Sequence, residues 1–167
     1  MKTIMTAIGL WALAVTAAAA ATPVTTAAPA QGRAVSRSGL FGLGVELGEQ
    51  NGGTAKLWLS DDQAVSGGLG ITSNGDLGVH AEYSWTAWRL LPQPPKGELG
   101  IHAAMGLRLR DDEFGLRPTA GLDYWLPGHP VELFIDAGPV FRLSPDEGVD
   151  TTAMLGVRFY LAQEKSK

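Results

Sequence analysis

Histidines, paired carboxylates and one glycine-rich run are the features of this sequence whose residue types could do chemistry. His80 shares the parity of Glu82, and His102 that of Glu98, so in extended chain each pair points to one side. Imidazole and carboxylate together would suit a borderline divalent cation. The plainer reading, two histidines hydrogen-bonded inside a polar interior, asks nothing more of the sequence. Glu132 and Asp136 suggest an acid/base pair, but with no accessible cleft they read as ion-pair partners for Arg158 and Arg117. Ser144 has no neighbouring histidine in the strand order, so a Ser-His-acid triad lacks its base. Ser66-Gly67-Gly68-Leu69-Gly70 has the look of a phosphate loop, yet no Lys-Ser/Thr follows it. His129 lies in a Pro127-Gly128-His129-Pro130 turn and is expected in solvent. The sequence therefore predicts no catalytic residue, no metal and no cofactor.

The elements that hold these residues are set first by export. Met1-Lys2 is a short positive start, residues 4–15 are apolar, and residues 17–21 offer small-residue cleavage choices. This is the pattern of a signal peptide cut near Ala21, with Ala30 as a second choice. The apolar stretch is shorter than the ~20 residues a spanning helix needs. Residues 22–38, rich in Ala, Thr and Pro, are expected to be a disordered leader, and residues 162–167 a tail. With no cysteine, the exported domain cannot rely on disulfides. A net charge of −4 without a dense basic cluster excludes nucleic acid as a natural partner. Twenty-two glycines without a triplet period exclude collagen.

Residues 39–161 have a different texture. Short segments of alternating polarity are separated by turn clusters centred near Asn51, Asp61, Gly75, Pro94, Asp112, Gly128 and Asp146. Seven turns delimit eight strands, and the connections are too short for crossover helices, so neighbours run antiparallel. Read by parity, one face carries residues such as Leu43, Leu57, Leu69, Val79, Ile101, Leu122, Ile135 and Leu155, and no formal charge. The other carries Glu46, Lys56, Glu82, His102, Arg108, Arg117, Asp123, Glu132, Asp136, Arg142, Asp150 and Arg158. Trp58, Trp125, Tyr160 and many glycines share that ionic face.

The ionic face is expected inside. An eight-stranded barrel encloses a lumen just wide enough to be filled by side chains, so glycine is needed there for volume. The charges nearly balance, as ions buried in a narrow lumen must. A hairpin centred on Asn51 sets Glu46 opposite Lys56, one near Glu147 sets Arg142 opposite Asp150, and a register across Pro92 sets Glu82 against His102. The outward aromatics check the assignment. With both termini in the periplasm, Phe41, Tyr83, Trp85, Tyr124 and Phe159 reach one rim, as an interfacial girdle would. Pro118 and Pro139 fall mid-strand, where each removes a ladder donor, so a bulge is expected at both.

From Leu40 to Leu161 the chain resembles small eight-stranded outer-membrane barrels of the OmpX and OmpA membrane-domain kind. It is also similar to an uncharacterised outer-membrane β-barrel family through Gly-Leu-Gly-Val at residues 42–45 and Lys-Leu-Trp-Leu-Ser-Asp-Asp at residues 56–62. The resemblance implies an all-β, eight-stranded, antiparallel up-and-down transmembrane barrel. It also implies an outer-membrane location, with membrane lipid and the barrel-assembly machinery as partners. One departure is that Phe159-Tyr160-Leu161 does not end the chain, where such barrels usually place an aromatic. Some barrels of this size modify lipid A with Ser, His and an acid near the outer leaflet, but no histidine lies on the apolar face here. The expected role is structural or interactive within the envelope, porin-like in architecture, monomeric and without catalysis. The alternatives are a soluble periplasmic barrel carrying a hydrophobic ligand and a lipid-modifying outer-membrane enzyme.

Overall fold

The alternation of polarity closes on itself. In the computed structural model, which describes residues 36–161, eight strands form one closed antiparallel barrel in sequential order. They are β1 (Phe41–Gly48), β2 (Gln50–Trp58), β3 (Gln63–Thr72), β4 (Leu77–Ala87), β5 (Glu98–Arg110), β6 (Glu113–Trp125), β7 (Val131–Ser144) and β8 (Gly148–Leu161). β1 pairs with β2 on one side and β8 on the other, which removes every free sheet edge along the shared span. The expected signal peptide, most of the leader and the tail lie outside the described residues. Ser36, Arg37 and Ser38, expected to belong to the leader, are placed against the barrel, and Arg37 is buried.

β1 begins and β8 ends at one rim, the near rim, with Phe41 opposite Leu161. The connections at residues 59–62, 88–97 and 126–130 also lie there, and 88–97 is the longest in the barrel. The far rim has only Glu49, residues 73–76, residues 111–112 and residues 145–147 between strands. Gly75 takes φ +93° in its turn, a conformation that a side chain would strain.

The faces divide by parity. Leu43, Val45, Leu69, Met105, Ile135 and Leu155 stand outside, each more than half exposed. Glu46, Lys56, Arg117, Asp123, Glu132 and Arg158 stand inside, each at most 3 % exposed. The inward glycines make room for these side chains. A Cβ on Gly68 would collide with Glu46 Oε1 and lie 2.6 Å from His80 Cε1, and one on Gly42 would strike the ring of Tyr160.

Two expectations about register need correction. The first hairpin turns at Glu49 rather than Asn51, with Gly52 and Gly53 inside β2. The displacement is an even number of residues, so parity is kept while every partner changes. Glu46 faces Gly52 and Lys56 faces Gly42. Likewise Glu82 faces Gly106 and His102 faces Thr86 across β4 and β5. Arg142 faces Gly148, although its Nε reaches Asp150 Oδ2 diagonally at 3.4 Å.

The second correction concerns the prolines. The β6–β7 register shifts at Phe114/Gly115, not at Pro118 or Pro139. The Leu116–Phe141 and Ala120–Ala137 pairs share one register, which sets the two prolines opposite each other. Ladder pairing lapses between those pairs and then resumes. Facing prolines concentrate their missing donors in one place, so no extra residue is needed to absorb them.

Candidate functional site: the charged lumen and its two mouths

The lumen is built in tiers. Below the far rim, Gln50 Nε2 donates to Glu46 Oε1 at 2.7 Å and lies 3.1 Å from His80 Nδ1. Glu46 is fully buried, and among the described residues its only ion-pair neighbour is His80, at 3.7 Å. Beside them Arg117 bridges two carboxylates, Glu82 at 2.5 Å and Asp136 at 2.8 Å. Ser66 Oγ adds a hydrogen bond to Glu82 at 3.1 Å. Arg117 is 1 % exposed, so this triad holds a charge that water does not reach.

Towards the near rim, Lys56 Nζ lies 2.7 Å from Glu132 Oε1 and 3.4 Å from Asp123 Oδ1. Asp123 also takes His102 Nδ1 at 3.0 Å and accepts from Thr86 Oγ1 at 3.2 Å. Glu132 accepts from Tyr160 OH at 2.5 Å, and Arg158 Nη1 approaches it at 3.5 Å. Arg158 donates to Thr54 Oγ1 and stacks over Phe134, 3.7 Å from the ring centroid. These partners reach across the barrel: Lys56 on β2 meets Glu132 on β7. Arg158 stands beside Glu132 and Arg117 beside Asp136, while Asp123, not Glu82, is the partner of His102.

The far mouth is also ionic. Arg108 contacts Glu49, Glu113 at 3.2 Å and Asp150 at 3.4 Å. Arg110 meets Glu113 at 2.7 Å, and Arg142 meets Glu113 and Asp150 at 3.7 and 3.4 Å. β8 runs past the end of β1 here, since pairing with β1 starts only at Met154. A recess of about 470 Å³ opens above the short first hairpin, lined by Glu49, Arg108, Arg110, Val149, Asp150 and Thr151. Across this mouth the guanidinium groups of Arg108, Arg110 and Arg142 are matched by the carboxylates of Glu49, Glu113 and Asp150.

The near mouth is aromatic. Trp58, Tyr160 and Ala64 are buried together, with Leu40, Trp88 and Trp125 packed against them. Trp58 Nε1 donates to Tyr160 OH at 3.1 Å. Trp58, Trp125 and Tyr160 belong to the ionic parity, and three large rings at one end of a polar face were the readable sign of a plug. Trp88 comes from the 88–97 connection, which periodicity does not reach. Arg37 lies over these rings and contacts Glu98, while its backbone N–H donates to Asp61 Oδ1 at 2.7 Å. That bond, with the one from Ser36 Oγ, holds the Asp61 carboxyl below the ordinary aspartate range.

Outside, the aromatic residues Phe41, Tyr83, Trp85, Tyr124 and Phe159 all lie towards the near rim. Phe159 faces Leu43 and Val131, while Tyr124 faces Leu99 and Leu133. Tyr83 and Trp85 meet edge to face at 4.6 Å, and Tyr83 OH donates to Gln63 Oε1 at 2.8 Å. Phe141 is outward near the far rim. His129 stays in the 126–130 turn, its Nδ1 3.0 Å from the carbonyl of Pro127.

Two solved structures share this architecture. One is a chain described under the de novo design of transmembrane β-barrels, with TM-score 0.56 and 13% identity, covering 74% of this chain and 97% of that one. The other is the N-terminal β-barrel domain of Pseudomonas aeruginosa OprF, with TM-score 0.51 and 16% identity, covering 74% of this chain and 98% of that one. At these identities the likeness is one of fold, that of a small eight-stranded transmembrane β-barrel. No family model matches the sequence, and no curated protein matches it.

Proposed function

We propose that this chain is an outer-membrane β-barrel protein with a structural or interaction role in the cell envelope and no catalytic activity. The observation that carries the reading is the inversion of polarity. The outward strand positions are apolar or uncharged, while the inward ones hold a packed ion network. In water such an exterior would far exceed the few hundred Å² of contiguous apolar surface that soluble monomers tolerate. In lipid it is the required solvent contact, and the closed ladder satisfies the backbone. A carrier with an apolar lumen does not fit, because the lumen is filled with charged and hydrogen-bonded side chains.

The near rim is then periplasmic, and the short far-rim turns face outward. A lipid-modifying enzyme would need its histidine and acid beside the outer leaflet. His80 and His102 instead lie inside the wall, and His129 lies at the near rim. The side chains that fill the lumen also argue against porin-like conduction. Delivery by the barrel-assembly machinery, with β8 and its outward Phe159 as the recognised strand, belongs to the same reading, as does a monomeric state.

Envelope fractionation with heat-modifiability on gels tests it. The expected protein sediments with the outer membrane, resists detergent when cold and shifts its migration on boiling. Recovery in the soluble periplasmic extract with no shift would overturn the proposal.

A further inference from the structure

The near-rim plug has the composition of a cation receptor. Guanidinium is planar and weakly hydrated, so it stacks on indole better than ammonium does. The Arg37 guanidinium carbon lies 3.8 Å from the centroid of Trp88, 5.2 Å from Trp125 and 6.0 Å from Trp58. These rings come from three separate parts of the barrel: β2, the end of β6 and the 88–97 connection. Glu98, at the start of β5, supplies the counter-charge. Arg37 belongs to none of these elements. It enters from the segment ahead of β1, which is tied down by its own bonds: Gly39 N–H to Trp58 O at 2.7 Å, Ser38 Oγ to Leu59 O at 3.1 Å, and Arg37 N–H to Asp61 Oδ1. Trp88 is fixed independently, its Nε1–H donating to Asp61 O at 2.9 Å. Among the described residues, the Nε–H of Arg37 and the Nε1–H of Trp125 are both buried there without a partner.

We propose that the near mouth is a guanidinium-binding aromatic cage formed by Trp58, Trp88, Trp125 and Glu98, which Arg37 occupies in cis. Trp58, Trp125 and Glu98 are held by strands and Trp88 by its own bond to Asp61 O, so the cage persists when the Arg37 side chain is removed. A tethered occupant has an effective concentration in the millimolar range, so a free ligand of the same chemistry binds the wild type poorly. The ligand class is a monosubstituted guanidinium, such as an arginine side chain presented by another polypeptide.

The test uses the full chain refolded in detergent micelles, its folding checked by the heat-dependent gel shift. Methylguanidinium is titrated at low millimolar concentration and tryptophan emission recorded. Arg37→Ala is expected to give a saturable change, and the wild type to need a concentration at least about tenfold higher for the same response. Adding Glu98→Gln or Trp88→Leu to Arg37→Ala should weaken binding about tenfold, within the range of a cation–π or ion contact. Ethylammonium should bind less well than methylguanidinium. Arg37→Lys, which keeps the charge and the tether, gives a second reading: methylguanidinium should displace the tethered ammonium more readily than it displaces the native Arg37 side chain. The inference is overturned if folded Arg37→Ala gives no saturable response, if it responds no better than the wild type, or if ammonium and guanidinium are bound alike.

Discussion

Within the lumen, ion pairs differ in how much they bear. Among the described residues, Arg117 is the one cation paired with both Glu82 and Asp136. Arg117→Met should cost on the order of 3–5 kcal/mol in urea unfolding from lipid vesicles, because two buried carboxylates then lose their cation. A triple variant that also carries Glu82→Gln and Asp136→Asn should recover much of that loss. Glu46 is the opposite case. It takes a hydrogen bond from Gln50 and, among the described residues, has no arginine or lysine within ion-pair distance, so Glu46→Gln removes a costly buried charge and keeps the shape. Its unfolding free energy should match or exceed that of the wild type. A loss comparable with that of Arg117→Met would mean Glu46 is paired as the others are. These roles were only half legible in the sequence. Parity alone sorts Glu46, Lys56 and Arg117 to the inside, because the period of two survives any even shift of register. It cannot say which inward residues touch, since Lys56 meets Glu132 across the lumen and not along a hairpin.

Strand number, order and direction follow from turn chemistry and alternation, and the strands match those expectations. Hairpin apices are less legible. Asn-Gly-Gly reads as a turn, yet Gly52 and Gly53 lie within β2. Gly52 faces Gly70 on β3, where a Cβ would strike the carbonyl oxygen of Leu69, so glycine there serves close strand approach. The facing prolines show the same limit. Each was readable as a missing donor, but their juxtaposition depends on a register that only the closed barrel fixes. Replacing Pro118 and Pro139 together by valine should return two donors to the β6–β7 ladder. A gain of about 0.5–1.5 kcal/mol per restored bond is expected, with the amides at both positions protected in hydrogen exchange. Unprotected amides at those two positions would show that something other than proline interrupts the ladder.

At the scale of the molecule, strand positions that face outward without charge around an ionic interior call for lipid as the surrounding solvent. Both the inside-outside assignment and the proposed location depend on that. β8 offers a graded probe, because Phe159, Val157 and Leu155 all face away from the lumen and step from the near rim towards mid-height. Each is to be changed singly to Arg and the variant unfolded in urea from phosphatidylcholine vesicles. The membrane reading predicts a cost near zero to about 1 kcal/mol at Phe159, rising through Val157 to roughly 2–4 kcal/mol at Leu155. A flat profile, or one in which Phe159→Arg is the most damaging, would contradict it.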